Sequence, residues 1–391
     1  MVNHQRRSVT HVITGLETGG AEMLLLRLLP HLRDLGIDAE IVSLLGIGTV
    51  GQQIEQLGFR VRSLDMSRRL PSPLAIPRLA GWLRQSRPTA VQTWLYHADL
   101  IGGAAARIAG VGPVVWGLHV SRIDATHLSP LTRLVAWSCA RSAAILPRRI
   151  VCCSQSAFDA HRSFGYPADR MIVIPNGIDT DLFVPDPSHR RSVRSELGLA
   201  DDALLIGMAA RFDPVKHHES LIAAAQISSR DVDGLGERIH LVLCGAGVDA
   251  SNRALAGWID AAGLGGRVHL LGHRDDMPRI IAALDVATLS SHSEASPLVI
   301  AEAMSCGVPA VATDVGDCAQ IIGDTGQVVP AARPAALAGA WHALLGEADA
   351  DRRRRSRAAR ERILAAYGVS TAAQRYAALY ESLATDEEIP P

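Results

Sequence analysis

The sequence predicts an α/β protein built from two doubly wound, Rossmann-like domains facing each other across a cleft. Three observations predict it. Short apolar runs alternate with segments of helical periodicity along almost the whole chain, the pattern of βαβ units around a parallel sheet buried on both faces. With 391 residues, the chain is long for a single domain. A polar stretch from Asp181 to Arg194, marked by Pro185 and Pro187, interrupts the alternation near the middle and is the expected linker.

In chain order, the expected strands of the first domain are Val9 to Thr14, Ala39 to Leu45, Phe59 to Leu64, Ala90 to Leu95, Val114 to Leu118, Ile150 to Ser154 and Met171 to Pro175. Segments such as Ala21 to Leu35 and Leu100 to Ala109 are the helices between them. A second series begins at Leu204 to Ala209 and continues through Ile239 to Cys244, Val268 to Leu271, Val286 to Ser290 and Val308 to Ala312. The last helix, Thr371 to Leu383, carries Tyr376, Leu379, Tyr380 and Leu383 as an apolar stripe that must pack on something. Arg352 to Arg355 follow Glu347, Asp349 and Asp351 on a helical pattern, so intrahelical ion pairs on a solvated face account for them better than an anion site.

Composition bounds the function. Lys and Arg number 39 against 40 acidic residues, and 48% of the chain is hydrophobic, which argues against a nucleic-acid binder and allows large cores. The six cysteines, Cys139, Cys152, Cys153, Cys244, Cys306 and Cys318, form no C-x-x-C pair, favouring reduced thiols and a cytoplasmic protein. Cys152 and Cys153 are expected to alternate across a strand. A polar N-terminus that runs straight into a strand argues against a signal peptide, and no uncharged apolar run reaches the ~20 residues of a membrane span. Ser67 to Arg87 mixes Arg68, Arg69, Arg78, Arg84 and Arg87 with Leu70, Leu74, Ile76, Leu79, Trp82 and Leu83. Such a segment suits either an anionic surface, on the inner face of the cytoplasmic membrane, or a surface helix packed on the sheet.

Four stretches bear on chemistry. Ser293 to Gly316 places Glu294 in a strand-to-helix loop, with Ser296 as expected N-cap, Pro297 at the first helical position, Leu298 and Val299 in the first turn, and Glu302 further in. Free N–H groups and the dipole of such a helix favour phosphate. Gly307 and Pro309 end it. Arg211 and Lys216 follow the strand Leu204 to Ala209, where an arginine fork and a lysine point charge suit a diphosphate. Thr18-Gly19-Gly20-Ala21-Glu22 lets backbone approach a ligand at a helix start, or is a tight turn. Gly46-Ile-Gly48-Thr-Val-Gly51, with Asp65 ending the next strand, is a formal dinucleotide fingerprint, although it follows the second strand rather than the first. The D-x-D-like triplets Asp179-Thr-Asp181, Asp231-Val-Asp233 and Asp349-Ala-Asp351 sit in turns or a charged helix, and no H-E-x-x-H or cysteine cluster suggests zinc.

Gly19-Gly20-Ala21-Glu22, Asn176-Gly177-Ile178-Asp179, Arg211 with Lys216, Glu294 with Glu302, and Thr313-Asp314-Val315-Gly316 together resemble the retaining glycosyltransferases of family 4, from about Val9 to Leu383. The resemblance implies a GT-B fold: residues 1–182 as an acceptor-binding Rossmann-like domain, 183–366 as a nucleotide-sugar-binding one, and 367–391 as a helix returning to the first. It implies that Glu294 holds donor-sugar hydroxyls, Glu302 the ribose, and Arg211 and Lys216 the diphosphate. Backbone N–H groups around Pro297 to Val299 would meet phosphate oxygens, His119 would lie beside the donor sugar, and the Arg274 backbone would meet the base. Departures from the family are His217, where glycine often follows the lysine, and Asp317, Cys318 and Gln320 after Gly316. The expected activity is retaining, metal-independent and cofactor-free hexosyl transfer from a UDP-sugar, with GDP-mannose as alternative donor. The expected acceptor is a glycan or lipid-linked oligosaccharide of cell-surface polysaccharide biosynthesis. An NAD-dependent oxidoreductase built on Gly46 to Gly51, an epimerase or phosphorylase, and a non-catalytic nucleotide-sugar-binding protein are the alternatives.

Overall fold

A computed structural model describes residues 7–67, 74–120, 123, 128–230, 234–294 and 296–385. The elements are β1 (Arg7–Ile13), α1 (Gly20–Asp34), β2 (Ile37–Ser43), α2 (Gly48–Gln56), β3 (Arg60–Ser63), α3 (Ala75–Ser86), β4 (Ala90–Trp94), α4 (Tyr96–Ala109), β5 (Val114–Leu118), α5 (Pro130–Ser142), β6 (Arg149–Cys152), α6 (Gln155–Phe164) and β7 (Met171–Val173). There follow α7 (Pro187–Glu196), β8 (Leu204–Ala209), α8 (His218–Ser228), α9 (Leu235–Arg238), β9 (Ile239–Cys244), α10 (Arg253–Ala262), β10 (Val268–Leu270), α11 (Met277–Ala282), β11 (Val286–Leu289), α12 (Leu298–Ser305), β12 (Ala310–Thr313), α13 (Cys318–Ile322), β13 (Gln327–Val329), α14 (Pro334–Leu345), α15 (Asp349–Ala366) and α16 (Val369–Thr385).

Backbone contacts divide the chain into two units, Met1–Gly177 with Val369–Pro391, and Ile178–Gly368. The first holds a parallel sheet of order β3-β2-β1-β4-β5-β6-β7, the second one of order β10-β9-β8-β11-β12-β13. In each, the order runs one way, returns past the first strand and runs the other way, the doubly wound arrangement of dinucleotide-binding folds. Neighbouring residues face opposite sides: Ile41 joins one core of the first unit with Val9, Ile13, Leu25 and Leu28, and Val42 joins the other with Val12, Leu79 and Trp116. Both faces are therefore covered, as parallel sheets require. The stripe on α16 lands on the α1 side, with Tyr376 and Tyr380 inside that core and the Tyr380 hydroxyl donating to Gln92 Oε1 at 3.2 Å.

Several expectations change. The proposed linker is partly a helix: Asp186 Oδ1 accepts from the N–H of Ser188 at 2.7 Å, Pro187 opens α7, and the helix docks through its arginines. Arg190 and Arg194 clamp the two oxygens of Asp285 at 2.6 and 2.9 Å, and Arg194 also donates to the Ala203 carbonyl. An N-cap followed by proline begins helices as readily as it marks loops, and that signal outranked the polar composition. Strand β13 was missed because it opens on the polar Gln327 and is hemmed by Gly326 and Pro330, so no apolar run stands out. Cys153 leaves β6 at its end, so it enters the same core as Cys152 rather than the opposite face.

On α3, Leu79, Ala80 and Leu83 are buried and Trp82 lies under the guanidinium groups of Arg62 and Arg78. That helix therefore packs on the sheet; Arg68, Arg69 and Leu70 of the same segment lie outside the described residues. The arginine run forms pairs on α15: Arg352 with Asp349, Arg354 with Asp351 at 2.9 Å and Arg355 with Glu347. Among the described residues no helix is long and apolar enough to cross a membrane.

Three histidines, His11, His161 and His218, are buried in these cores and His119 is half-buried; desolvation holds His11 down at about 3 and His119, His161 and His218 at about 4. Between about pH 4 and 6.5 the unfolded chain binds protons that the folded chain excludes, so stability rises with pH across that window and falls on acidification. The urea midpoint is expected to drop between pH 7 and pH 5 with net proton uptake on unfolding, and His161→Gln is expected to reduce the slope. A midpoint independent of pH over that range would contradict buried neutral imidazoles.

Candidate functional site

Strand order in the second unit reverses between β8 and β11, and ligands of open α/β sheets bind outside the carboxyl ends at such a point. The candidate residues gather there. Arg211 lies two residues past β8, in a loop rather than on the strand, and its guanidinium takes both donors to Asp213 Oδ2 at 3.1 and 3.0 Å. The other oxygen of Asp213 accepts from the N–H of Val215 at 2.9 Å, capping the 3-10 turn Pro214–Lys216. That backbone bond, then the Arg211 guanidinium, holds the Asp213 carboxyl below its ordinary range. Lys216 then reaches across to the loop after β11, where Nζ meets Glu294 Oε1 at 2.6 Å. Both side chains of this pair are largely buried.

Sequence reasoning missed what supports the pair. Ser290 Oγ donates to the carbonyls of Lys216 and His217, at 2.9 and 3.1 Å, tying the lysine turn to the end of β11. Ser291 Oγ donates to Glu294 Oε1 at 2.5 Å, and Thr313 Oγ1 on β12 donates to the Ser291 carbonyl at 2.6 Å. The signal was the polar run Ser290-Ser291 closing an apolar strand.

The helix start differs by one residue from expectation. Pro297 is the N-cap, with ψ of 88°, and Leu298 is the first helical residue, so Ser296 stays in the loop and no side chain caps α12. The first-turn N–H groups of Leu298 and Val299 thus lack a side-chain acceptor, the arrangement that leaves a helix start open to an anion. Glu302 lies on α12 beyond this turn, half-buried. His217 sits at φ 53° and ψ 51°, left-handed backbone that costs a non-glycine residue about 1–2 kcal/mol. This explains physically why glycine suits the position, and the imidazole offsets the strain by packing on His292 with ring centroids 4.0 Å apart. The Arg274 side chain is committed elsewhere, to Asp276 at 2.8 and 2.9 Å and to Glu196 at 2.9 Å, with Arg279 completing the cluster. Arg274 and then Arg279 hold Asp276 well below the usual carboxylate range.

In the first unit the order reverses between β1 and β4, and a cavity of about 940 Å³ opens at those strand ends. Thr14, Leu16, Leu44, Leu100, Ile101 and Val135 give it largely aliphatic walls, with Glu17, Glu22 and His97 as its charged or titratable members. Gly19 caps α1 and Gly20 is its first residue, but Glu22 folds back against Gly19 so closely that a Cβ there would collide with the carboxylate. Burial raises the Glu22 carboxyl. This helix start already carries an anion of its own.

Leu95, at the cavity wall, has φ 74° and ψ 153°, a region used almost only by glycine and costing roughly 1–3 kcal/mol. His119 follows β5, half-buried, and stacks on Trp94 with centroids 5.0 Å apart, while Trp94 Nε1 donates to His11 Nδ1 at 3.2 Å. Burial keeps the His119 ring neutral at pH 7. The described chain thus brings Arg211, Lys216, Glu294 and the start of α12 together in the second unit, and places His119, Gly19 and Gly20 in the first.

The dinucleotide reading of Gly46 to Gly51 fails on its own glycines. Gly48, at φ 64°, is pressed against the Leu16 carbonyl, and a Cβ on Gly51 would meet the side chains of Ile47 and Leu16. The N–H of Val50 donates to the Leu16 carbonyl at 3.0 Å. These glycines admit the chain itself. Asp179 closes a turn by accepting from Asp181 and Leu182, and Asp349 and Asp351 pair along α15; Asp231 and Asp233 lie outside the described residues. Among the described residues no three His, Cys, Asp or Glu side chains gather as a metal site needs.

Two doubly wound parallel-sheet units in one chain define the class, the GT-B architecture. The profile of Glycosyltransferase Family 4 matches residues 18–182 and that of Glycosyl transferases group 1 matches 189–362. A putative glycosyltransferase EpsF of Bacillus subtilis is 29% identical over 80% of each chain. A UDP-Gal:alpha-D-GlcNAc-diphosphoundecaprenol alpha-1,3-galactosyltransferase of Escherichia coli is 26% identical over 65% of this chain and 64% of its own. The crystal structure of Anabaena Alr3699/HepE in complex with UDP superposes with a TM-score of 0.82 at 24% identity, over 96% of this chain and all of that one. The chain belongs to the family 4-like glycosyltransferases of GT-B fold.

His217→Gly is expected to keep or raise the melting temperature, and His217→Val, β-branched in left-handed backbone, to lower stability by more than about 1 kcal/mol. Thermal denaturation measures both. A glycine variant clearly less stable than the parent would mean that the contact with His292 outweighs the backbone strain.

Proposed function

We propose that the protein is a retaining transferase that moves a hexosyl group from a UDP-sugar to a hydroxyl of a glycan or lipid-linked glycan acceptor. The observation that carries the reading is the Lys216–Glu294 pair beside the uncapped start of α12, at the strand-order reversal of the second unit. Two fixed cations and open N–H groups suit a nucleoside diphosphate, and the flanking carboxylates suit hydroxyls. The UDP bound by the HepE structure and the UDP-sugar and diphosphoundecaprenol in the Escherichia coli relative's name support the donor and acceptor classes.

In this reading Arg211 and Lys216 hold the diphosphate, and Leu298 and Val299 offer N–H groups to its oxygens, with Ser296 and Pro297 shaping the turn. Glu294 accepts from sugar hydroxyls and Glu302 from the ribose. The base meets the backbone at Arg274, whose side chain keeps that loop in place. The bond between the anomeric carbon and the phosphate oxygen breaks, leaving its electron pair on the departing diphosphate, and the acceptor oxygen attacks from the same side through an oxocarbenium-like state. The acceptor's proton passes to the phosphate oxygen that departs. Charge therefore builds where the cations and helix start are already placed, and preorganised groups of that kind are the largest single contribution in many enzymes. Neutral His119 offers a hydrogen-bonding ring to the sugar, and Gly20 allows close backbone approach, as Gly19 does once the Glu22 carboxylate swings away from it. The reading assigns no metal.

A thermal-shift screen with UDP, GDP, ADP, their sugars and NAD, in EDTA, tests the donor. UDP and one UDP-sugar are expected to stabilise the protein by mass action. Stabilisation by NAD alone would overturn the reading, and stabilisation by GDP and GDP-mannose would replace the donor. In a transfer assay, Arg211→Ala and Lys216→Ala are each expected to lower turnover by roughly 10²–10³, as for lost oxyanion donors. Unchanged turnover in both would remove the diphosphate assignment.

A further inference from the structure

The cavity in the first unit has α5 as one wall, through Leu131, Thr132 and Val135. Ser129 caps this helix by accepting from the N–H of Thr132 at 3.2 Å, Pro130 opens it, and Ala136 and Cys139 are its buried residues. That leaves the opposite side in solvent, and its composition is unusual. Leu131, Leu134 and Trp137 follow one another at three-residue spacing with 51%, 57% and 50% exposure, and Ile145 just past the helix is 62% exposed. Elsewhere in the described chain, exposed large apolar residues are widely spaced along the sequence, with no second run at helical spacing. Trp137 is the only exposed tryptophan of six.

Charge on the same face has one sign. Arg133 and Arg141 are exposed beside the apolar residues, and the Arg141 guanidinium lies 5.2 Å from the centre of the Trp137 ring. From Leu128 to Phe158 the sequence contains four arginines and no aspartate or glutamate. Leucine side chains, a tryptophan and arginines on one helical face match the depth profile of a lipid interface, where aliphatic groups enter the acyl boundary while the indole and guanidinium groups stay at the headgroups. Leu131 belongs both to this face and to the cavity wall, so the aliphatic cavity is continuous with the exposed stripe.

We propose that α5 is a membrane-seating surface, lying on an anionic bilayer through Leu131, Leu134, Trp137, Arg133 and Arg141. The cavity at the ends of β1 and β4 then opens beside the lipid plane. Attachment by this face is independent of the transfer chemistry and of any nucleotide.

Vesicle co-sedimentation without substrates tests it, using phosphatidylglycerol–phosphatidylcholine vesicles against phosphatidylcholine alone, at low and high salt. The protein is expected to bind the anionic vesicles, more weakly as salt rises. Leu134→Glu with Trp137→Glu is expected to reduce the bound fraction at least tenfold, and Arg133→Gln or Arg141→Gln roughly fivefold each. These positions are solvent-exposed, and circular dichroism with the nucleotide thermal shift confirms that the variants fold. No binding to anionic vesicles by the parent protein overturns the proposal. So does binding that the α5 variants leave unchanged, which would move attachment to another segment. A concentration-dependent dimer in light scattering that Trp137→Glu abolishes, without vesicle binding, would assign the face to a second copy instead.

Discussion

Both units depend on one constraint, the right-handed crossover between parallel strands. Because each βαβ connection must pass the same way round, a sheet that grows first to one side and then to the other has helices on opposite faces on either side of its first strand. The loops after the two central strands therefore diverge and leave a crevice. In the second unit those strands are β8 and β11, and the crevice receives Arg211, Lys216 and Glu294. In the first they are β1 and β4, and the crevice is the aliphatic cavity. The same topology produced a polar site once and an apolar one once, and the side chains lining each crevice, from loops and from helices α4 and α5, make the difference.

The polar site is held from behind. A largely buried lysine and glutamate form a pair that has lost most of its hydration, and such a pair is favourable only when further hydrogen bonds satisfy its remaining groups. Ser291 supplies one to Glu294, Ser290 anchors the turn carrying Lys216, and Asp213 ties that turn to Arg211. The left-handed backbone at His217 is the strained step that brings the turn onto α8. Strain at Leu95 performs a similar service at the cavity wall, where β4 passes into α4. Of the five described non-glycine residues at positive φ, these two stand at strand-order reversals, where local geometry is dictated by neighbours rather than by the residue itself.

How much was legible follows from the range of each interaction. Strands Val114 to Leu118, Leu204 to Ala209 and Ile239 to Cys244 end where the sequence placed them, because a fully buried parallel strand must be apolar throughout. Helix α7 was hidden in a polar stretch because its docking rests on Arg190 and Arg194 reaching Asp285, some 90 positions away. The glycines of Gly46 to Gly51 imitated a cofactor loop because close approach by Leu16 and close approach by a pyrophosphate impose the same demand for a missing side chain.

The sequence by itself determined the two α/β sheets, the position of the α12 start to within one residue, and the residue types that meet there, since periodicity, caps and motif spacing are local. Tertiary structure alone decided which partners those residues have. It joined Lys216 to Glu294 across 78 positions, folded Glu22 over Gly19, spent the Arg274 side chain on Asp276 and Glu196, and left the apolar face of α5 uncovered while burying that of α3. Those outcomes depend on which strand lies beside which, and on how much room remains between helices. No window of the sequence records either.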